Sequence, residues 1–184
     1  MMMNLPNLLT ISRIVLIPFM LFFLLTDFSG GLKEISFTIA LGIFILATIT
    51  DALDGFFARK GKAITKLGKI LDPLADKLLI SSALIALLEL GVVTAWPVIL
   101  IIGREFTVTG LRLVAIMEGR IISASIWGKI KTVMQIVTII IIMASLSIIS
   151  VPVSFTTVLL WLTVIFTLCS GIDYYFKCMG GKTS

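Results

Sequence analysis

The feature of this sequence that most constrains its fold is a series of six long apolar runs. A helix of roughly 20 apolar residues crosses a bilayer core about 30 Å thick, and each run has about that length. The runs lie at Leu8–Thr26, Ile35–Phe57, Ile70–Leu90, Ala95–Met117, Ile130–Ile149 and Ser154–Tyr175. Only 14% of the 184 residues are charged, against about a quarter in soluble domains. The sequence predicts an all-α integral membrane protein with six transmembrane helices, forming one domain over residues 1–184.

Basic residues distinguish the two sides of the predicted membrane protein. The second, fourth and sixth runs end on the same side of the membrane. The basic residues on that side are Arg59, Lys60, Lys62, Lys66, Lys69, Arg120, Lys129, Lys131, Lys177 and Lys182. The opposite side offers only Lys33. Because Lys and Arg are retained on the cytoplasmic side, both termini are predicted to be cytoplasmic, in the cell membrane. The net charge of +5 is then a topology signal, and no nucleic-acid partner is expected.

Two residue types that often bind metals are scarce. The sequence has no histidine, and its two cysteines, Cys169 and Cys178, form neither a CxxC pair nor a zinc set. Any bound metal must therefore have oxygen ligands, which favour hard ions such as Mg²⁺ or Mn²⁺.

Four aspartates stand at regular spacing where the second run ends and the third begins. Asp51 and Asp54 are three residues apart, and Asp72 and Asp76 are four apart. Each spacing places a pair on one face of a helix, and the short basic connection predicts antiparallel neighbouring helices. Clustered carboxylates repel unless they are protonated or bridged by cations. This pattern favours a site for two divalent ions; the competing interpretation is a solvated cluster of aspartates and lysines.

Small residues accompany the aspartates. Gly55, Ala58 and Gly68 would let a nucleotide or pyrophosphate approach the helices closely. Arg59 is placed to neutralise phosphate oxygens. The aspartate region thus predicts a phosphate ligand in addition to metals.

The full pattern resembles the signature of the CDP-alcohol phosphotransferases. The matching positions are Asp51-x2-Asp54-Gly55-x2-Ala58-Arg59-x8-Gly68-x3-Asp72-x3-Asp76. The resemblance covers essentially the whole chain, since that family has six helices and the opening NLPNLLTISRIVLIP is similar to its amphipathic N-terminal helix running into the first span. The stretches TDALDG, GREFTVTGLR and GKIKTVMQ are most similar to the branch that uses glycerol 3-phosphate.

The resemblance implies transfer of a phosphatidyl group from CDP-diacylglycerol to an alcohol, with release of CMP. It implies a homodimer in the lipid bilayer and two divalent ions, Mg²⁺ or Mn²⁺, held by Asp51, Asp54, Asp72 and Asp76. Asp76 would also be the general base that takes the hydroxyl proton. The residues expected to contact the nucleotide are Asp54, Gly55, Ala58, Arg59, Gly68 and Thr10.

A second polar set lies on the fourth and fifth runs. Arg104 and Glu105 lie within the fourth run, and Arg112 lies two turns beyond Glu105. Arg104 needs a partner there, and Glu105 is not expected to supply it, because adjacent helical residues diverge by about 100°. The predicted ligands of an acceptor phosphate are Arg104, Arg112, Lys129 and Lys131. Interhelical ion pairing is the alternative for Arg104, and snorkelling is the alternative for Lys129.

Glycerol 3-phosphate is the favoured acceptor, with inositol phosphate or another alcohol as the alternative within the enzyme class. A divalent cation transporter is the alternative from another class. Transporter sites usually lie near the membrane midplane on broken helices, whereas these aspartates lie at helix ends. A soluble prenyl synthase also uses aspartate pairs, but the six apolar runs argue against it.

Overall fold

The computed structural model describes residues 5–27, 30–60, 68–117 and 126–180, and it is helical throughout these ranges apart from short turns. The six helices are α1 (Leu5–Leu25), α2 (Lys33–Lys60), α3 (Gly68–Glu89), α4 (Ala95–Met117), α5 (Ile126–Ala144) and α6 (Val153–Gly180). The all-α class is therefore confirmed for the described residues, and each predicted apolar run corresponds to one helix. The N-terminal stretch predicted to be amphipathic is continuous with α1 from Leu5 onward.

Three helical segments in the described ranges are long and apolar enough to cross a membrane. They are Lys33–Asp51, Ile126–Ala144 and Val153–Lys177, while the apolar part of α1, Ile11–Leu25, is shorter. The composition of these segments identifies a membrane protein.

The helices belong to two compact units. The first comprises Met1–Val92 and Ile139–Ser150, and the second comprises Val93–Thr138 and Val151–Ser184. In the first unit, α1 packs against α2 and α3, and its core includes Met20, Phe44 and Leu84, all at most 1% exposed. In the second unit, α4 packs against α6.

Polar side chains accompany the apolar core of the second unit. The buried threonines Thr138 and Thr163 join α5 to α6 with 2.7 Å between their hydroxyl oxygens. Each hydroxyl can act as donor or acceptor, so this contact satisfies two groups that would be costly to bury alone.

The outward face of α1 is apolar from Ile11 to Leu25, where its side chains are described. Ile11, Val15, Phe19, Phe22 and Leu25 are all between 41% and 55% exposed, and they recur at helical spacing. A continuous exposed apolar stripe is unfavourable in water. It is the surface expected of a helix that meets lipid.

Helix ends follow local chemistry. Helix α3 ends in a Schellman motif, in which Gly91 has φ of 70°. The N–H of Gly91 donates to the Leu88 carbonyl, and the N–H of Val92 donates to the Leu87 carbonyl. Helix α5 ends at Ala144, five residues before the predicted Ile149. There the hydroxyl of Ser145 donates to the Ile142 carbonyl at 2.7 Å, and such side-chain bonds compete with continuation of a helix.

Candidate functional site

The four aspartates divide between two helices of the first unit. Asp51 and Asp54 lie on α2, and Asp72 and Asp76 lie on α3. Only the side chain of Asp51 is among those that the structure describes. The other residues predicted to bind the nucleotide also belong to these helices or to α1, and their side chains are likewise outside the description. They are Thr10, Gly55, Ala58, Arg59 and Gly68. The convergence of all four carboxylates therefore stays a prediction.

Asp51 is bound by an arginine from the first helix. Nη1 of Arg13 lies 2.7 Å from Oδ1 of Asp51. The two partners differ in burial, since the Arg13 side chain is 1% exposed and that of Asp51 is 42% exposed. A guanidinium inside a protein requires a paired carboxylate, because taking an uncompensated charge out of water is expensive. Asp51 supplies that charge while keeping surface for another ligand.

The chemistry of the donor set fits a hard divalent cation. Carboxylates offer only oxygen, the ligand atom that Mg²⁺ prefers, and Asp51 retains exposed surface beside its contact with Arg13. Among the described side chains, no group of three or more His, Cys, Asp or Glu residues is placed to hold a metal. Three of the four predicted ligands are outside that set.

In the second unit, Glu105 is the centre of a polar cluster on α4 and α5. Its Oε1 accepts from Lys131 Nζ, from Gln135 Nε2 at 3.3 Å and from Arg104 Nη1 at 3.2 Å. Gln135 lies 3.4 Å from the Thr167 hydroxyl on α6 as well. The side chains of Arg104, Glu105 and Lys131 are only 9%, 14% and 10% exposed. The cluster is thus a buried charge network with one acid between two cations.

The expectation that Glu105 would not pair with Arg104 was wrong. The side-chain directions of adjacent helical residues do diverge, but the arginine side chain is long enough for its terminal nitrogen to return to Glu105. Its other terminal nitrogen donates to the Ser170 hydroxyl on α6. Gly171 makes room for this arrangement, because an added Cβ would lie 3.2 Å from Cγ and Nε of Arg104.

The remaining predicted acceptor ligands differ from Lys131 in exposure. Arg112 and Lys129 are exposed, whereas Lys131 is buried. The Arg112 guanidinium carbon lies 5.6 Å from the ring centroid of Tyr174 on α6, within the range of a cation–π contact. Arg112 and Lys129 therefore present accessible positive charge, while Lys131 and Arg104 are already bound by Glu105.

Sequence reasoning missed several partners. It did not assign Arg13 to Asp51, Ser170 to Arg104 or Tyr174 to Arg112. A cation early in an apolar run signals a need for an acidic partner, so Arg13 was detectable as a site residue. Which α6 residues contact Arg104 and Arg112 depends on the register between α4 and α6, and no sequence pattern carries that information.

Comparison with known proteins identifies the family. Residues 3–169 match the family model of the CDP-alcohol phosphatidyltransferases. The chain belongs to the CDP-alcohol phosphatidyltransferase family. The resemblance carried by the aspartate pattern is thereby confirmed, and members of this family act as phosphatidyltransferases.

Relatives with curated names align with nearly the whole chain. A CDP-diacylglycerol–glycerol-3-phosphate 3-phosphatidyltransferase of Bacillus subtilis (strain 168) is 44% identical over 96% of this chain and 95% of its own length. A probable phosphatidylglycerophosphate synthase of Mycobacterium tuberculosis (strain ATCC 25618 / H37Rv) is 39% identical over 96% of this chain and 82% of its own length. A protein with the same name as the first, from Rickettsia typhi, is 36% identical over 96% of this chain and 98% of its own length.

Proposed function

We propose that this phosphatidyltransferase moves the phosphatidyl group of CDP-diacylglycerol to glycerol 3-phosphate, giving phosphatidylglycerophosphate and CMP. The observation that carries the proposal is the 44% identity to a protein of that name over 96% of the chain. The same name recurs for the relative from Rickettsia typhi at 36% identity.

The reaction exchanges one phosphorus–oxygen bond for another. A hydroxyl oxygen of glycerol 3-phosphate attacks the phosphorus that bears diacylglycerol, the bond from that phosphorus to the CMP oxygen breaks, and CMP leaves. Asp76 takes the hydroxyl proton as general base. Asp51, Asp54, Asp72 and Asp76 would hold divalent cations, which would stabilise the negative charge on the pyrophosphate when bound. Gly55, Ala58, Arg59, Gly68 and Thr10 bind the cytidine nucleotide in this proposal.

Exposed cations support a site for the acceptor phosphate. Arg112 and Lys129 are accessible and offer a planar fork and a point charge, the two forms in which proteins bind phosphate. Lys131 and Arg104 belong to the same proposed site, but each shares its charge with Glu105. We infer that Arg112 and Lys129 make the direct contacts and that Lys131 and Arg104 set the local positive charge.

The proposal includes a membrane arrangement. Six membrane-spanning helices and cytoplasmic termini are supported by the distribution of basic residues and by the six helices in the described ranges. The homodimer in the cell membrane is carried over from the family resemblance alone. An active site on the cytoplasmic side would meet a water-soluble acceptor while the diacylglycerol tails stay in the bilayer.

CMP release by the purified protein in detergent tests the reaction. CDP-diacylglycerol and Mg²⁺ are present throughout, and glycerol 3-phosphate, inositol phosphate and serine are supplied separately. We expect CMP only with glycerol 3-phosphate, and we expect EDTA to abolish release until excess Mg²⁺ or Mn²⁺ is added. Release with inositol phosphate instead would show that the protein has the alternative activity, in which inositol phosphate is the acceptor. Metal flux into protein-containing vesicles without CMP release would favour a transporter.

A further inference from the structure

Arg13 is the most deeply buried charged side chain among the described residues. Its side chain is 1% exposed, and it lies on α1, which packs against both helices that carry the four aspartates. Nothing in the proposed chemistry uses it directly. Its ion-pair partner, however, is Asp51, which is the first aspartate of the proposed metal site.

The geometry of the pair separates a fixed end from an accessible end. Arg13 is held inside the protein, while Asp51 keeps 42% of its side-chain surface exposed. The contact of 2.7 Å between Nη1 and Oδ1 is an ion pair. A carboxylate has about four lone-pair sites on its two oxygens. Asp51 can therefore stay paired with the arginine and still coordinate a cation.

The charge of Arg13 suits this position. In the proposed site, four carboxylates would repel one another when no metal is bound, and that repulsion would turn a mobile side chain away from the others. A buried guanidinium limits the movement of the Asp51 carboxylate and offsets one of the negative charges. Groups that orient a metal ligand from behind commonly change metal affinity or activity by about 10–100-fold when they are removed.

We propose that Arg13 is a positioning residue that holds the Asp51 carboxylate in place for divalent-cation binding. The proposal rests on the proposed function, because it takes Asp51 as a metal ligand. Arg13 itself touches neither the metal nor the substrates in this proposal and acts only through Asp51.

Mn²⁺ affinity of the purified protein in detergent is the direct test, with free Mn²⁺ followed by its electron paramagnetic resonance signal. Arg13→Met replaces the guanidinium with an apolar side chain suited to a buried position. We expect it to weaken Mn²⁺ binding by about 10–100-fold. Arg13→Lys keeps the charge as a single point donor, so its affinity should fall between those of the wild type and Arg13→Met.

A matched control separates positioning from general damage to α1. Met20 lies on the same helix and is fully buried, so Met20→Ala should lower the unfolding temperature but leave Mn²⁺ affinity unchanged at a temperature where the protein stays folded. Loss of affinity in Met20→Ala equal to that in Arg13→Met would overturn the proposal. Unchanged or tighter binding by Arg13→Met would also overturn it, as would the absence of Mn²⁺ binding by the wild type.

CMP release by the wild type, measured in the same preparation, distinguishes this inference from the proposed function. Release of CMP together with an Arg13→Met affinity equal to the wild type would reject the positioning role and leave the reaction standing. Mn²⁺ binding that depends on Arg13, without CMP release for any acceptor, would support the positioning role and reject the reaction.

Discussion

Glu105 should be far more important for stability than an exposed acid of the same chain. Glu105→Gln keeps the size of the side chain and removes its charge, leaving Arg104 and Lys131 together without a carboxylate. Their side chains are 9% and 10% exposed, so water can replace little of the lost interaction. Breaking a buried ion pair by removing one partner costs about 3–5 kcal/mol.

This cost can be converted into a shift of the unfolding temperature. For a chain of this size, 1 kcal/mol corresponds to about 2–4 °C, so Glu105→Gln should lower the unfolding temperature by about 6–20 °C. The assay is thermal unfolding of the purified protein in one detergent at one scan rate, because the transition of a membrane protein is often irreversible. Tryptophan fluorescence can report it, since Trp127 lies on α5 four residues before Lys131.

Asp173→Asn is the matched control. Asp173 pairs with Lys177 on the surface of α6 at 2.9 Å, with side chains 28% and 48% exposed. Exposed pairs of this kind contribute about 0–1 kcal/mol, so this variant should shift the transition by a few degrees at most. Lys131→Met should be milder than Glu105→Gln, because Glu105 would keep Arg104 and Gln135. If Glu105→Gln and Asp173→Asn had equal transitions, the compensating role assigned to Glu105 would be refuted.

Three further predictions concern single residues. Arg112→Gln should raise the KM for glycerol 3-phosphate by about 10- to 100-fold, because a charged hydrogen bond is lost. Lys33→Gln, at the exposed start of α2, should leave that KM unchanged. Equal KM values for the two variants in steady-state CMP release would contradict the assignment of Arg112. Gly171→Ala should have a free energy of unfolding about 1–3 kcal/mol lower than that of Gly110→Ala. The reason is that a Cβ at position 171 would lie 3.2 Å from Arg104, whereas nothing lies within 4 Å of a Cβ at position 110. Equal denaturant midpoints for the two variants would show that Arg104 moves aside freely. Asp76→Asn should reduce turnover by about 10²–10⁴-fold and retain nucleotide binding in equilibrium titration; turnover near that of the wild type would remove the general-base role.

The helices were predictable because their signals are local. The fourth run, Ala95–Met117, matches α4 at both ends; Thr94 before it is a favourable N-cap residue, and Pro97 falls in the first turn, where its missing N–H costs little. The end of α5 was not predictable from hydropathy, since residues 145–149 are mostly apolar. In the structure, the N–H groups of Ser147, Ile148 and Ile149 all donate to the Ala144 carbonyl, so the chain forms turns there.

The candidate site was predictable in its residue types and less so in its pairings. Aspartate spacing along α2 and α3 led to the family that the comparison shows, while the metal site that the same spacing predicts stays a prediction. The pairing of Arg13 with Asp51 depends on the packing of α1 against α2, which periodicity does not specify. Glu105 shows the same limit, because three donors from two helices meet one oxygen. Long flexible side chains make such contacts hard to infer from helical angles alone.

The ion pair between Arg13 and Asp51 also has a consequence for biogenesis. A ribosome completes α1 before α2, so the arginine is synthesised ahead of the aspartate that binds it. Placing a cationic side chain among lipid tails is costly, and we expect the first half of α1 to settle fully into the membrane only when α2 arrives. On this expectation, the ion pair couples the seating of the first helix to the insertion of the second.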